Sequence, residues 1–378
     1  MKLRMFVATG EASGDMLAAA LAREMHALEP GLELVGIGSE KMAAAGFSLT
    51  ERTTGWASMG PIEALRRIPP LFTSCWRHAL WIARDPWDLV VLVDFGAYNL
   101  RMAKTLRLLG YRRPILYFVP PGAWMDKPAQ ARAVARYTTA LTPFEHQRDF
   151  FAALGLPVTY FGHPLVALVE PREARAAAPS DGGTIAMLPG SRRGEIARHL
   201  PRLLRAMRVV RRTRPRAEFV VSAADDDAYR TIARALHAAF LPAFAGGGDG
   251  IAIVRGARAA LDRADAAWVA SGTAVLESAL REVPAVALYV IAESQVAIAK
   301  RVWRKPFVTL PNLLLHATVV PELLQDAATP EALAAAIEPL LADPAAHVAR
   351  LREVRAKLGP PDALSACARF AIDLARTA

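Results

Sequence analysis

Short apolar runs alternate with amphipathic stretches along the first 160 or so residues. Leu3–Ala8, Leu32–Ile37, the β-branched run Leu89–Val93, Pro114–Val119, Thr139–Leu141 and Val158–Phe161 read as strands. Between them Met16–Leu28, a segment from Gly38-Ser39 through Ala45, Asn99–Leu109 and Ala129–Tyr137 read as helices. Strands spaced by helices predict a parallel sheet that binds ligands at its carboxyl edge. Pro171–Gly183 is polar, small and rich in Pro and Gly, which is linker chemistry. The alternation then restarts, with strands expected at Ile185–Leu188, Glu218–Ser222, Ile251–Val254, Ala266–Ala270 and Ala285–Val290, and mostly helix from Ala327 onward. The expected class is therefore α/β, with two Rossmann-like domains facing a cleft. The expected boundaries are 1–170, 184–345 and a helical segment 346–378 that is a candidate to return to the first domain.

The most informative stretch is Ile185-Ala-Met-Leu-Pro-Gly-Ser-Arg-Arg-Gly-Glu-Ile196. The apolar run reads as a buried strand, Pro189-Gly190 breaks it, Ser191 can cap, and an amphipathic helix runs on to about Arg212. A helix start offers outward N–H groups and the positive end of a dipole, and Arg192 adds a guanidinium suited to phosphate. The plain alternative is an ordinary βα turn with surface arginines. The stretch is not a Walker A loop, because that spacing and its Lys-Ser/Thr ending are absent.

Other segments carry candidate chemistry of the same kind. Gly10-Glu-Ala-Ser-Gly-Asp15 follows the first strand; two glycines permit close backbone approach, and Ser13 or Asp15 can cap the next helix. It is not GxGxxG, so no dinucleotide cofactor is indicated. Ser271-Gly272-Thr273 ends a strand and opens a helix, bringing N–H groups and two hydroxyls together as a pyrophosphate would require, with Glu277 about one turn further in and able to accept from a ribose diol. Asn312 in Thr309–Leu313 and Gln325 in Pro321–Gln325 offer amides that could read a base or sugar, although these segments alone read as a loop and a helix start. His163, between Gly162 and Pro164, could donate to a phosphate or act as a base, or simply shape its turn. Met59–Ala83 mixes Leu, Ile, Phe and Trp with arginines, and Pro69-Pro70 is expected to break it into two pieces. That composition suits an anionic membrane surface, or else a core helix with snorkelling arginines.

Composition narrows the classes. At 378 residues two domains are the default, and 53% hydrophobic with 22% charged residues is globular. A formal charge of +10 favours anionic partners, but scattered single arginines without interleaved aromatics make nucleic acid the weakest choice. Two cysteines, Cys75 and Cys367, suit a reducing compartment and exclude a disulfide framework or a Cys-based zinc site. The start of the chain reads as a strand and turn rather than a signal peptide, and no apolar run is long enough to span a membrane.

Taken together and in order, these stretches resemble the lipid-A-disaccharide synthases, inverting glycosyltransferases of the GT-B fold. The residues that carry the resemblance are Gly10–Asp15, Val35–Gly38 with Lys41-Met42, Met59–Glu63, Pro143–Glu145, Gly162–Pro164, Leu188–Arg192, Ser271–Ala274 with Glu277, and Leu310–Leu313 with Pro321–Gln325. The resemblance implies a UDP-linked acylated glucosamine donor held by the second domain and a lipid monosaccharide phosphate, lipid X, as acceptor. The acceptor 6-hydroxyl attacks the anomeric carbon, giving a β-1,6 disaccharide and UDP. It implies Ser191, Arg192, Ser271, Gly272, Thr273, Glu277, Asn312 and Gln325 on the donor side, and Gly10, Ser13, Gly14 and Glu63 on the acceptor side. No cofactor or metal is expected, since arginine and helix dipoles can neutralise a leaving diphosphate. The expected location is cytoplasmic, peripheral on the inner face of the cytoplasmic membrane, with a homodimer possible by family analogy.

The departures fall in the first half. Where the family carries Asp-x-Pro-Asp-Phe-Asn, this chain has Asp94-Phe-Gly-Ala-Tyr-Asn99, so the second aspartate, a candidate base, becomes Ala97. Alanine cannot take a proton, which leaves Asp94, Asp88, Glu11 and His163 as candidates. The family's Ser-Pro-Ser-Val-Trp-Ala-Trp becomes Val119–Met125, and its Gly-Pro becomes Ser39-Glu40. Retained donor motifs beside an altered first half keep three alternatives open: a transferase with another acceptor, a nucleotide-sugar 2-epimerase, and a non-catalytic binding relative.

Overall fold

β-Branched and aliphatic runs form the strands, and the stretches with a single apolar stripe form the helices laid against them. The computed structural model describes residues 2–53, 56, 61–85, 87–121, 127–173, 177–239, 251–303 and 305–377. In chain order the elements are β1 (Arg4–Ala8), α1 (Ala12–Leu28), β2 (Glu33–Gly38), α2 (Glu40–Ala44), β3 (Ser48–Arg52), α3 (Pro61–Arg84), β4 (Leu89–Val93), α4 (Gly96–Leu108), β5 (Ile115–Phe118), α5 (Pro128–Tyr137), β6 (Thr139–Thr142), α6 (Glu145–Ala153), β7 (Thr159–Tyr160) and α7 (Leu165–Leu168). They continue with β8 (Thr184–Leu188), α8 (Arg193–Thr213), β9 (Glu218–Ala223), α9 (Asp226–Ala239), β10 (Ile251–Arg255), α10 (Ala257–Leu261), β11 (Ala266–Ala270), α11 (Thr273–Leu280), β12 (Ala285–Tyr289), α12 (Glu293–Val302), α13 (Leu310–Leu315), β13 (Glu322–Leu324), α14 (Pro330–Ala342), α15 (Pro344–Lys357) and α16 (Ala363–Arg376).

The chain divides into two units, Met1–Leu168 with Leu358–Ala378, and Val169–Lys357. The first holds a parallel sheet of order β3-β2-β1-β4-β5-β6-β7. Its central strand β4, Leu-Val-Val-Leu-Val, is buried on both faces, as a parallel strand covered by helices must be. Phe6, Trp87, Val90, Tyr117 and Phe151 anchor its core. The closing helix α16 packs on α1, and Arg376 pairs with Glu29 at 2.7 Å. The second unit holds a parallel sheet of order β10-β9-β8-β11-β12-β13. Met187, Leu203, Phe219, Trp268 and Leu340 lie in its core, and the indole of Trp268 donates to Leu333 O at 3.0 Å. Full burial of side chains of this size contributes about 1.5–3 kcal/mol each. In each unit the strand order reverses once, at β1/β4 and at β8/β11. Such reversal points open a crevice at the carboxyl ends of the strands.

Several elements differ from their sequence expectation. The two prolines do not divide 61–84: α3 is continuous with Pro69 and Pro70 inside it. The proline ring fixes a φ that a helix accepts; the cost is the lost ladder bonds and the crowding of the preceding turn by each ring, and both prolines are exposed. Ser48–Arg52 is an edge strand of alternating exposure, too polar to stand out as an apolar run. Leu310–Leu315 is helix and Glu322–Leu324 is strand, the reverse of the expected loop and helix start. The presumed linker is fastened to the second unit, where Arg172 N bonds Arg281 O at 3.3 Å and Ala178 N bonds Leu341 O at 3.1 Å. No helix of the described residues is long and apolar enough to cross a membrane.

Candidate functional site

In the second unit the reversal point is built by the turns after β8 and β11, which pair in register from Ala266↔Ile185 to Val269↔Leu188. After β8, Gly190 has φ +107, and a Cβ there would sit 2.5 Å from the Glu195 carboxylate, so glycine is required. The helix cap is Arg192 rather than Ser191, which is exposed. Arginine has no acceptor to offer the first turn. Instead Glu195 receives the Arg192 N–H at 3.4 Å and its guanidinium at 3.2 Å. The leading N–H groups of α8 have no acceptor within the helix and point out of the turn.

The turn is braced from behind by His199, which sequence reasoning did not single out. Its ring is fully buried, Nδ1 bonds Pro189 O at 2.8 Å, and Nε2 accepts from Val290 N at 3.0 Å. Burial pushes its pKa down, so it stays neutral with the proton on Nδ1. Arg198 Nε adds a bond to Val290 O at 2.8 Å. After β11, Ser271 N bonds Leu288 O at 2.9 Å, and Gly272, at φ +149, caps α11 with no side-chain bond of its own. Glu277 lies half-buried one turn in. At the end of β13, Gln325 has φ +51 and its Oε1 accepts from Ile291 N at 3.1 Å. Ser191, Arg192, Ser271, Gly272, Thr273 and Gln325 thus share the carboxyl edge of β8, β11 and β13, and two helix starts open there on neighbouring strands. The arrangement is suited to an anion with two or more charged groups.

Asn312 is a correction. Its Nδ2 donates to Val320 O at 2.7 Å and to Glu322 at 2.8 Å, and its Oδ1 accepts from Val319 N and Val320 N at 2.7 and 2.8 Å. A buried amide with both donors and both acceptor sites used has nothing left to read a base. It ties α13 to β13.

In the first unit, Gly10 and Gly14 lie against the turn that follows β4. A Cβ on Gly10 would collide with the Phe95 ring, and one on Gly14 with Thr9 Oγ1. Asp94 and Phe95 are both left-handed, at φ +51 and +48. Their backbone is held by Asn99 Nδ2, which donates to Ala8 O, Val93 O and Asp94 O at 3.3, 3.1 and 2.9 Å, and by the Tyr117 hydroxyl, which donates to Asp94 O at 3.0 Å. Ser13 Oγ donates to Asp94 Oδ2 at 3.3 Å. Burial pushes the Asp94 carboxyl up, against the opposing bonds from Phe95 N and Ser13. Glu11 stands at the cap of α1 with no side-chain cap bond. Asp15 caps the neighbouring helix instead of its own, accepting from Ser39 N at 2.6 Å and Lys41 N at 3.0 Å at the start of α2.

Two candidate bases are displaced. Asp88 precedes β4 and accepts from Arg4 N at 2.8 Å and Arg113 at 3.1 Å. It sits at the amino edge of the sheet, separated from Asp94 by the whole strand, six residue steps or about 20 Å. His163 is buried against Phe144, with ring centroids 5.0 Å apart, and its Nδ1 accepts from Leu165 N at 3.1 Å. Burial pushes its pKa down to about 3, too low for a base that must hold a proton near neutrality. Ala97 is exposed on the first turn of α4. Met59, Gly60, the side chain of Glu63 and residues 122–126 lie outside the described residues. Among the described residues no group of three or more His, Cys, Asp or Glu is placed to hold a metal.

Two units, each a parallel sheet with the Rossmann strand order, define a GT-B type α/β protein. Solved structures share that fold at low identity. They include a Staphylococcus aureus MnaA–UDP complex (TM-score 0.64, 12% identity, 98% of this chain and 97% of that one) and the calicheamicin glycosyltransferase CalG4 (0.53, 16%, 100% of each). A UDP-GlcNAc 2-epimerase of Neisseria meningitidis bound to UDP-GlcNAc is alike too (0.58, 10%, 100% of each). The family model for lipid-A-disaccharide synthetase matches residues 5–360, and the chain belongs to that family. It is 34% identical to the lipid-A-disaccharide synthases of Anaeromyxobacter sp. (strain K), over 372 residues covering 95% of this chain and 94% of that one, and of Pseudomonas aeruginosa, over 352 residues and 90% of each. The Synechocystis sp. enzyme of the same name is 34% identical over 394 residues, 99% of this chain and 98% of that one.

Proposed function

We propose that this chain is a glycosyltransferase of lipid A biosynthesis, moving an acylated glucosamine from UDP to lipid X. The observation that carries the reading is the pair of helix starts at the β8/β11 reversal point, with Arg192 beside them. In this reading the diphosphate lies across the turns 189–192 and 271–273, and Glu277 and Gln325 take the ribose and base ends. The N–H groups and the Arg192 guanidinium stabilise the charge that grows on the diphosphate as the glycosidic bond breaks, so they act on the transition state rather than on binding alone. The Gly10–Gly14 turn and Asp94 then belong to the acceptor side. The resemblance to 2-epimerase structures is one of fold, at 10–13% identity, whereas the family match covers most of the sequence.

The same reading places the protein on an anionic membrane surface, where its lipid substrates reside. Phe72 and Trp76, one turn apart on α3, are 48% and 44% exposed. Large apolar side chains left in water on one helix face suit insertion at a headgroup boundary. Purified protein incubated with a UDP-linked acylated glucosamine and lipid X, with UDP and disaccharide both measured, tests the proposal. Turnover of the UDP-sugar to its 2-epimer, or no UDP release, would refute it.

A further inference from the structure

The guanidinium that would meet a diphosphate at the head of α8 is already engaged by a carboxylate. Arg192 Nη1 donates to Glu195 Oε1 at 3.2 Å, and the Arg192 backbone N–H donates to Oε2 at 3.4 Å. A capping box accounts for a Glu at this position and for one of its oxygens. It does not account for the other oxygen being set on the guanidinium, because a carboxylate there opposes the arrival of an anion. The two side chains differ in setting: Glu195 is 15% exposed and Arg192 42%. The carboxylate lies under the turn, in room that exists only because Gly190 has no Cβ. The guanidinium, on the solvent side, is the partner with space to turn away. The other groups near the carboxylate do not compete for it: Arg198 is spent on Val290 O, and burial holds both the His199 imidazole and the Tyr289 hydroxyl neutral.

Resting on the donor-site reading above, we infer that Glu195 is a positioning residue that parks the Arg192 guanidinium, so that a diphosphate must take it from a carboxylate. Without nucleotide the long Arg192 side chain is held beside the turn instead of ranging through solvent, and part of the entropy of ordering it is spent before the ligand arrives. With nucleotide bound, Arg192 has two anionic partners. Charge that grows on the departing diphosphate shifts it from the first to the second, so the arginine is worth more in the transition state than in the ground state. Once the sugar has left, the carboxylate draws the guanidinium back and loosens the hold on UDP.

Calorimetric titration of the full chain with UDP tests this. Glu195→Gln leaves an oxygen to accept the Arg192 N–H, since Gln serves a capping box as Glu does, and removes the charge that competes. It is expected to bind UDP about three- to fivefold more tightly, with a urea midpoint near that of wild type. Made in an Arg192→Ala chain, the same change is expected to shift UDP affinity by less than about twofold, because the competition has lost its object. Glu195→Asp keeps the charge but draws it back from the guanidinium by one methylene. It is expected to tighten UDP as well, which keeps the inference testable where the Gln variant does not fold. UDP affinity that is unchanged or weaker in the folded variants overturns the inference. So does equal tightening by Glu195→Gln with and without Arg192, which would make the carboxylate a source of diffuse field and not a partner of the arginine. A wild-type chain that binds no UDP overturns the donor-site reading itself, and the role of Glu195 with it.

Discussion

The buried imidazole of His199 accepts the backbone proton of Val290 at 3.0 Å while its other nitrogen holds Pro189 O. One side chain on α8 therefore locks the turn after β8 to the end of β12, two strands away across the sheet. His199→Ala leaves a buried carbonyl and a buried N–H without partners, which costs about 2–4 kcal/mol. The urea midpoint should fall accordingly, and UDP affinity by calorimetry should weaken because the α8 start is no longer fixed. Unchanged UDP affinity in a destabilised variant would confine His199 to stability.

Three histidines, His78, His163 and His199, are buried with pKa values pushed below the ordinary value by desolvation. In the unfolded chain each titrates near 6.5. The unfolded state thus binds more protons below that pH, so their contribution is full above about 6.5 and is lost as pH falls toward the folded values, about 3 for His163. Each contributes a slope of roughly 1.4 kcal/mol per pH unit within its window. Asp94, raised by burial, runs the other way, its contribution being lost as pH rises. The urea midpoint should be lower at pH 5.5 than at pH 7.5, and His163→Gln should flatten the dependence. Equal midpoints would contradict the buried neutral state.

Gly272 has φ +149 and ψ −160, a region open to glycine alone, yet a Cβ there would meet no atom within 4 Å. The cost of Gly272→Ala is therefore conformational, about 1–3 kcal/mol. It should reorient the start of α11 and weaken UDP binding by about tenfold or more. A variant that binds UDP like wild type would remove the turn 271–273 from the donor site.

Phe72 of α3 carries the guanidinium of Arg101 of α4 5.0 Å above its ring, an exposed aromatic beside a cation. Phe72→Ser with Trp76→Ser should reduce co-sedimentation with anionic vesicles while leaving the thermal midpoint within a few degrees. Binding that survives both changes would move the membrane contact elsewhere.

Much of the fold was legible because buried parallel strands read as unbroken apolar runs; Leu89–Val93 and Ala266–Ala270 are observed with the expected bounds. Ser48–Arg52 escaped because an edge strand needs no such run. The turns at 189–192 and 271–273 were visible as strand, glycine and helix in succession. Asp88 and Asp94 look equivalent in a linear reading, six positions apart, but a strand between them sends them to opposite edges. Asn312 misled for a chemical reason: the amide that could read a base is equally able to close a loop, and here it does. His199 gave no signal, since its partners are backbone groups ten and ninety-one residues away.

In the proposed function the second unit delivers a sugar from UDP to a lipid hydroxyl. The most direct measurement is mass-spectrometric quantitation of UDP and disaccharide from purified protein given a UDP-linked acylated glucosamine and lipid X. Equal amounts of the two products are expected, both lowered by about tenfold or more in Gly272→Ala at subsaturating donor. UDP without disaccharide, or a 2-epimerised UDP-sugar formed without lipid X, would contradict it.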